Sequence, residues 1–329
     1  MKSKLTLIAG LCVLALTAEA GRELLNVSYD PTRKLYEQYN ELFRAYWKKK
    51  TGEDVKINQS HGGSGKQARS VIDGVPADVV TLALAGDINN IVSRGKSVPK
   101  DWQTFLPHNS TPYQSTIIFV VRPGNPKNIK DWGDLAREGV QVVTPNPKTS
   151  GGARWNFLAA WRWAEKEFKG DQAKIKEYIK QLYSNAPVLD TGATGSTITF
   201  VKRKIGDVYL AWENEARLIE SEFPGQTEII IPPSSILAEP PVAVVKKNAI
   251  KNGNEDLAEA YLKFWYTPEA QELAAKNYFR PSDKKVLAKY ADQFPSLELV
   301  DINHFGGWAE AQKKFFDDGG IYDEIFIKR

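Results

Sequence analysis

The sequence predicts an α/β protein built as two lobes, each a mainly parallel sheet flanked by helices, with a ligand cleft between them. Three observations carry this. Apolar strand-like runs alternate with amphipathic helical runs, and parallel strands need such crossover helices. Strand ends pass repeatedly through short polar or glycine turns straight into helices. Two apolar runs, 115–121 and 240–245, are placed to carry the chain from one lobe to the other and back. The 329 residues exceed one average domain and suit two of ordinary size.

Residues 1–20 read as a targeting segment. Lys2 and Lys4 form the basic start, residues 5–17 the apolar run and Ala18-Glu19-Ala20 a small-residue cleavage site, so removal and delivery to a periplasm are expected. The apolar run is too short to span a bilayer. Cys12 is the single cysteine, and Leu11 stands where a lipid-anchor signal wants a small residue. The processed chain then has no cysteine, which excludes disulfide and thiol chemistry. The formal charge of +4 falls to +3 without Lys2, Lys4 and Glu19. That is too mild and interspersed for nucleic-acid binding. The longest basic run, Lys48-Lys49-Lys50, suits a helix C-terminus.

Residues 24–29 form a first strand. Asp30-Pro31-Thr32 should start a helix running to Lys50, with Asp30 at the N-cap, Pro31 at N1 and Gly52 as the stop. A strand at 55–59 leads into Gly62-Gly63-Ser64-Gly65 and a helix at 66–72. A buried strand at 77–84 and a helix at 88–94 follow. After the crossing at 115–121, a β-branched strand at 140–143 runs into Ser150-Gly151-Gly152 and a helix at 155–169. Helix 173–183, strand 188–190 and the turn Gly192-Ala193-Thr194-Gly195 come next. Strand 205–212, helix 213–222 and strand 228–231 complete the second lobe. Helices are expected at 257–266 and 268–276. The first lobe is thus expected to comprise 21–114 and 241–290, and the second 115–240, with 291–329 a helical, aromatic segment packed across the lobes.

Four turns, at Tyr29-Asp30-Pro31, Gly62–65, Ser150–Gly152 and Gly192–195, share one design, two in each lobe. In an open α/β sheet such turns lie beyond the carboxyl ends of the strands, where ligands bind. Glycines let backbone N–H groups approach a ligand, and helix N-termini present unpaired donors with partial positive charge. A cleft lined by four of them is an oxyanion site made of neutral parts.

Other motif readings fail on spacing. HGGSGKQ lacks the first glycine of a phosphate-binding P-loop, and Gln67 stands where that loop needs Ser or Thr. It also fails as a nucleophile elbow, because Lys66 replaces the second glycine. His61, His108 and His304 show no metal-ligand spacing. Glu213 and Glu215 are read as a solvated first helical turn rather than an acid–base pair. Trp212 differs from the tryptophans expected in the core, since it ends a strand at the ligand edge, where its indole N–H can donate.

LLNVSYDPTR, QSHGGSGKQA, NPKTSGGARWN, DTGATGST, GDVYLAWENEA and ILAEPPV, with AAKNYFRP and HFGGWAEAQ near the end, resemble the periplasmic sulfate-binding proteins of bacterial sulfate ABC importers. The similarity spans essentially the whole processed chain. It implies a two-lobed type II periplasmic binding protein, a monomer and not an enzyme, that needs no cofactor or metal. Such a protein closes around a dehydrated sulfate dianion and delivers it to membrane permease subunits. It also implies the donors: the backbone N–H groups of Asp30, Ser64, Gly151, Gly152 and Ala193, the Ser150 hydroxyl and the Trp212 indole N–H. The alternatives are a binding protein for thiosulfate, molybdate, phosphate or another tetrahedral oxyanion, and a secreted ester hydrolase. The thiosulfate branch tends to carry Ala, Asn and Phe where this chain has Gly63, Gly152 and Trp212. Thr194 replaces a common arginine, and Gly86 a common tyrosine. Asp30's carboxylate, the one acceptor near the donors, is expected to cap its own helix.

Overall fold

The computed structural model describes residues 21–326; the targeting segment expected at 1–20 lies outside them. The chain opens with strand β1 (Glu23–Tyr29), buried on both faces with Leu24 in one core cluster and Val27 in another, and a 3-10 turn over Asp30–Thr32. Helix α1 (Arg33–Thr51) follows. Leu35, Tyr36, Tyr39, Phe43 and Trp47 share one of its faces at helical spacing, and Gly52 ends it in the left-handed conformation. Strand β2 (Lys56–Gly62) passes through Gly63 into α2 (Ser64–Ile72), and β3 (Val79–Thr81) leads to α3 (Ala85–Asn90). A tight turn, α4 (Pro107–Ser110), precedes the long strand β4 (Tyr113–Val121).

β5 (Val142–Pro145) runs toward α5 (Gly151–Glu167), α6 (Gln172–Ser184) is followed by β6 (Leu189–Asp190), and α7 (Ala193–Thr197) by β7 (Val208–Trp212). Then come α8 (Glu213–Glu222), β8 (Glu228–Ile230), β9 (Ser234–Ala238) and β10 (Val242–Val244). The remainder holds α9 (Lys246–Lys251), α10 (Glu255–Phe264), α11 (Pro268–Lys276), β11 (Arg280–Pro281), α12 (Lys284–Lys289), β12 (Glu298–Val300), α13 (Gly307–Ala311) and α14 (Ile321–Phe326).

Two sheets organise these elements. The first has the order β10-β3-β1-β2, parallel except for the returning strand β10. The second runs β12-β9-β4-β7-β5-β6, with β8 and β11 also paired to β4. In it β5 is parallel to both β6 and β7, while β4 is antiparallel to β7, β8 and β9. The antiparallel pairings enter with β4, the strand that brings the chain over from the first sheet.

The first lobe's core is aromatic. Tyr39 of α1 stacks on Trp265 with ring centroids 3.8 Å apart, and Tyr36, Phe43 and Tyr261 pack around them. In the second lobe α5 is buried on nearly every face. One side meets the sheet, and Phe157 and Trp161 on another meet Phe315 and Phe316 of the C-terminal segment. Trp308 from that segment packs edge-on against Trp155 and over Gly86.

Several expected elements shift. Residues 82–84 leave the sheet after β3, although all three are fully buried. The segment after 290 is not wholly helical, since β12 pairs in parallel with β9, itself a strand the sequence did not signal. Asp30 is not an N-cap: the helix start makes no side-chain cap bond, and Thr32 Oγ1 donates to the Tyr29 carbonyl instead. Glu213 and Glu215 are buried rather than solvated. Arg280 donates to both Glu213 oxygens at 2.7 and 2.9 Å.

Candidate functional site

The ends of β1, β2 and β7 and the starts of α2, α5 and α7 meet in one small cavity between the two sheets, with about 180 Å³ of empty space. Asp30, Ser64, Ser150, Gly152, Ala193 and Trp212 line it, joined by Tyr29, Gly63 and Ala83. Gly151 stands immediately behind, packed on Ala83 and Ser64. All the residues singled out in the sequence are therefore brought together. Ser64 begins α2, Gly151 and Gly152 begin α5, and Ala193 begins α7, so their N–H groups have no acceptor within their own helices. Asp30 opens the 3-10 turn in the same way.

The side chains fit the same chemistry. Trp212 Nε1 is buried with no hydrogen-bond partner, a condition that costs free energy unless a ligand supplies an acceptor. Ser150 Oγ accepts from the Ala153 N–H at 3.3 Å as the N-cap of α5, which leaves the hydroxyl hydrogen available to a guest. The Tyr29 hydroxyl is also buried without a partner, and its ring lies 5.3 Å from that of Trp212. The sequence did not single out Tyr29; its place at the strand end just before the Asp30 turn was the available signal.

No lysine or arginine lines the cavity. Asp30 is its one carboxylate, and it faces Gly192 and Thr194 at the start of α7 across the cleft. Burial raises the Asp30 carboxyl above its ordinary range, and the facing Thr194 N–H and hydroxyl, with Arg33 nearby, pull it part of the way back. His61 is held down to about 4 by burial, so it is neutral near pH 7. Among the described residues no group of three or more His, Cys, Asp or Glu could hold a metal.

The lobes are closed on one another. A Cβ at Gly63 would lie 2.6 Å from the Thr191 carbonyl oxygen and 2.8 Å from that of Thr149. At Gly151 it would lie 2.6 Å from Ala83 Cβ, and at Gly192 2.4 Å from Asp30 Oδ2. Only glycine permits these approaches. Bonds cross the same seam. Trp155 Nε1 donates to the Ala83 carbonyl at 2.8 Å and Asn214 Nδ2 to that of Pro31 at 3.2 Å. Arg154 donates to Asp87 at 2.8 Å, and both are buried. Asp87 in turn accepts the Ser64 hydroxyl at 2.6 Å, fixing the turn whose N–H faces the cavity. A larger and mainly apolar hollow bordered by Trp102, Phe105 and Leu262, with Lys246 and Lys263 at its edge, lies on the first lobe.

The arrangement can hold a small, fully deprotonated anion by hydrogen bonds alone and exclude water around it. A family model described as bacterial extracellular solute-binding protein matches residues 31–280. The chain is 59% identical over 305 residues to the sulfate-binding protein of Escherichia coli K12, covering 92% of each. It is 50% identical over 323 residues to the thiosulfate-binding protein of Pseudomonas aeruginosa, covering 98% of this chain and 97% of that one. Among solved structures it is similar to the sulfate-binding protein SubI from Mycobacterium tuberculosis H37Rv, with a TM-score of 0.82 and 34% identity, over 90% of this chain and all of the other.

Proposed function

This chain belongs to the bacterial extracellular solute-binding proteins, and from that premise we propose that it captures a dehydrated sulfate dianion between its lobes and delivers it to the permease of an ABC importer. The observation that carries the ligand class is the convergence of helix starts from both lobes on one cavity containing no cation. Trp212 Nε1 waits there without an acceptor. Sulfate is favoured over thiosulfate by the higher identity to the sulfate-binding relative and by Gly63, Gly152 and Trp212. Gly152 in particular must lack a side chain, since a Cβ there would lie 2.5 Å from Trp212 Nε1.

The mechanism is capture, not turnover. In the open form each donor is hydrated. Closure replaces water with the N–H groups of Asp30, Ser64, Gly151, Gly152 and Ala193, the Ser150 hydroxyl and the Trp212 indole. Each bond to the charged ligand contributes roughly 1.5–3 kcal/mol net, and together they offset the cost of drying a dianion. Exclusion of water strengthens every one. The charge is spread over the peptide dipoles of several helix starts rather than paired with a cation, so the ligand is not trapped by a salt bridge. The closed form, made by the interlobe contacts above, is what a permease would recognise. Residues 1–20 provide export to the periplasm, and the protein works as a monomer.

Thermal unfolding tests this. Sulfate at about a hundredfold its dissociation constant should add roughly 2.7 kcal/mol of stability, with or without EDTA. A panel of sulfate, thiosulfate, molybdate and phosphate ranks the anions. No shift with millimolar sulfate, or a shift that EDTA abolishes, would sink the reading.

A further inference from the structure

The turn that presents Ser150, Gly151 and Gly152 is braced from inside by its own residues. The N–H groups of Thr149 and Ser150 donate to the Asn146 carbonyl at 3.1 and 2.9 Å, and the Lys148 N–H donates to Asn146 Oδ1 at 2.9 Å. Arg154, in the first turn of α5, donates through Nε to the Pro147 carbonyl at 2.9 Å. Each of these bonds stays within residues 146–154, so together they set the shape of the turn. Its near end is tied to β6, because the Asn146 N–H donates to the Asp190 carbonyl at 2.8 Å. Its middle, at Lys148, is held from a distant part of the sequence.

Lys148 Nζ lies 2.8 Å from both carboxylate oxygens of Asp323 and 2.9 Å from the Phe316 carbonyl oxygen. The Asp317 carbonyl oxygen at 3.5 Å and Asp318 Oδ1 at 3.7 Å complete an oxygen cage that offers each ammonium hydrogen an acceptor. Asp323, in the first turn of α14, is buried and stands 175 positions from Lys148. Its Oδ2 also accepts the Gly319 N–H at 2.9 Å, and Gly319 takes the left-handed conformation, φ +79°. The carboxylate that binds the lysine therefore also folds the loop that encloses it. Holding a lysine stem in one rotamer costs side-chain entropy, which an exposed ion pair offsets poorly. Here charge-assisted bonds to a buried carboxylate and to a carbonyl act together. The charge of Lys148 is spent on this cage, and the lysine does not line the anion cavity.

We propose that Lys148 is a positioning residue for the anion, and that the C-terminal loop 316–323 is thereby a working part of the binding site. The loop holds Lys148, Lys148 holds the middle of the turn, and the turn aims the Gly151 and Gly152 N–H groups and the Ser150 hydroxyl into the cavity. This rests on the sulfate-capture reading. Asp323 separates positioning from simple attraction between the lysine and the anion, because the two have opposite signs there. If Lys148 acted through its charge alone, neutralising Asp323 would tighten sulfate binding, since a nearby negative charge is removed. If it acts by holding the turn, the same change frees the lysine and weakens binding.

Titration calorimetry of the full chain with sulfate decides between them. Lys148→Met keeps much of the stem without the ammonium, and Asp323→Asn keeps the shape without the charge. Each should weaken sulfate binding by roughly tenfold, the lower end of what a bound metal ion loses with an outer-shell partner. The double variant should lose little more than either alone, because both changes break one tie. With sulfate bound, amide hydrogen exchange should quicken over residues 149–155 in both variants and stay unchanged over α2 and α7, which carry Ser64 and Ala193. Tighter binding by Asp323→Asn overturns the inference in favour of charge alone. Unchanged affinity in both variants overturns it too, whatever their unfolding temperatures, and leaves the capture reading standing. A natural chain that does not bind sulfate overturns both.

Discussion

Asp30 Oδ2 in the first lobe lies so close to Gly192 in the second that a Cβ on Gly192 would be 2.4 Å from it. Gly192 is the N-cap of α7, so the Asp30 carboxylate sits at the start of a helix that is not its own. That helix is the one whose first residue, Ala193, faces the anion cavity. Closure and the ordering of one anion-binding turn are therefore the same event.

Asp30→Asn should weaken sulfate binding by about 1.5–3 kcal/mol, the scale of hydrogen bonds to a charged group, without removing the backbone N–H of residue 30. Thr194→Ala should cost less, because the backbone N–H remains. The pH sign follows from the raised Asp30 carboxyl. As pH falls through that pKa the carboxyl is protonated, one acceptor is lost and the clasp loosens. Affinity measured by calorimetry should thus decline on the acid side through Asp30.

Trp212→Phe keeps most of the aromatic contact with Tyr29 and deletes the unpartnered Nε1 donor. We expect sulfate affinity to drop by about 1–3 kcal/mol, the cost of leaving one buried polar atom unpaired, while the unliganded protein unfolds at an unchanged temperature. Binding that is unaffected in calorimetry would remove the indole from the site.

Gly151→Ala should prop the cleft open. Its Cβ would sit 2.6 Å from Ala83 Cβ and 3.0 Å from Ser64 Cβ, and nearer than about 3 Å something must move. The clash exists only when the lobes meet. Small-angle scattering should therefore show that sulfate no longer compacts the variant, while its unliganded stability stays near that of the natural chain.

Much of this site was legible in the chain because its parts are local. A β-branched run, a glycine turn and an amphipathic helix are each written within about ten residues, and β5–Ser150–α5 is the clearest case. What could not be read is what depends on partners distant in sequence. β9 and β12 exist because they pair with each other across more than sixty positions. Glu213 and Glu215 look like an ordinary acidic first turn, and only the arrival of Arg280, Tyr209 and Thr197 shows them to be buried. Asp30-Pro31 reads as a cap and first helical residue, and locally that reading is sound. The carboxylate instead faces the start of α7, because the second lobe brings Gly192 and Thr194 against it.

That same placement of Asp30 decides how the site should treat phosphate. Near neutral pH phosphate keeps at least one proton, and a cavity lined with donors gives that proton nowhere to go. Ser150 Oγ already accepts from the Ala153 N–H, the indole of Trp212 only donates, and the backbone contributes N–H groups at its helix starts. Asp30 is the acceptor that could rescue hydrogen phosphate, but its carboxylate faces the Thr194 N–H and hydroxyl at the start of α7. Bound hydrogen phosphate would bury an O–H without a partner and displace a donor from another oxygen, each costing on the order of 1–3 kcal/mol. We expect phosphate to fail as a competitor of bound sulfate from pH 5 to 8, even at a large excess. Thr194→Ala, by releasing part of the Asp30 carboxylate, should narrow the gap between the two anions more than it lowers sulfate affinity. Competitive titration of sulfate-loaded protein gives the answer. Displacement by phosphate at comparable concentrations would mean that an acceptor faces the ligand, either Asp30 or the unpartnered Tyr29 hydroxyl, and Asp30→Asn and Tyr29→Phe would say which.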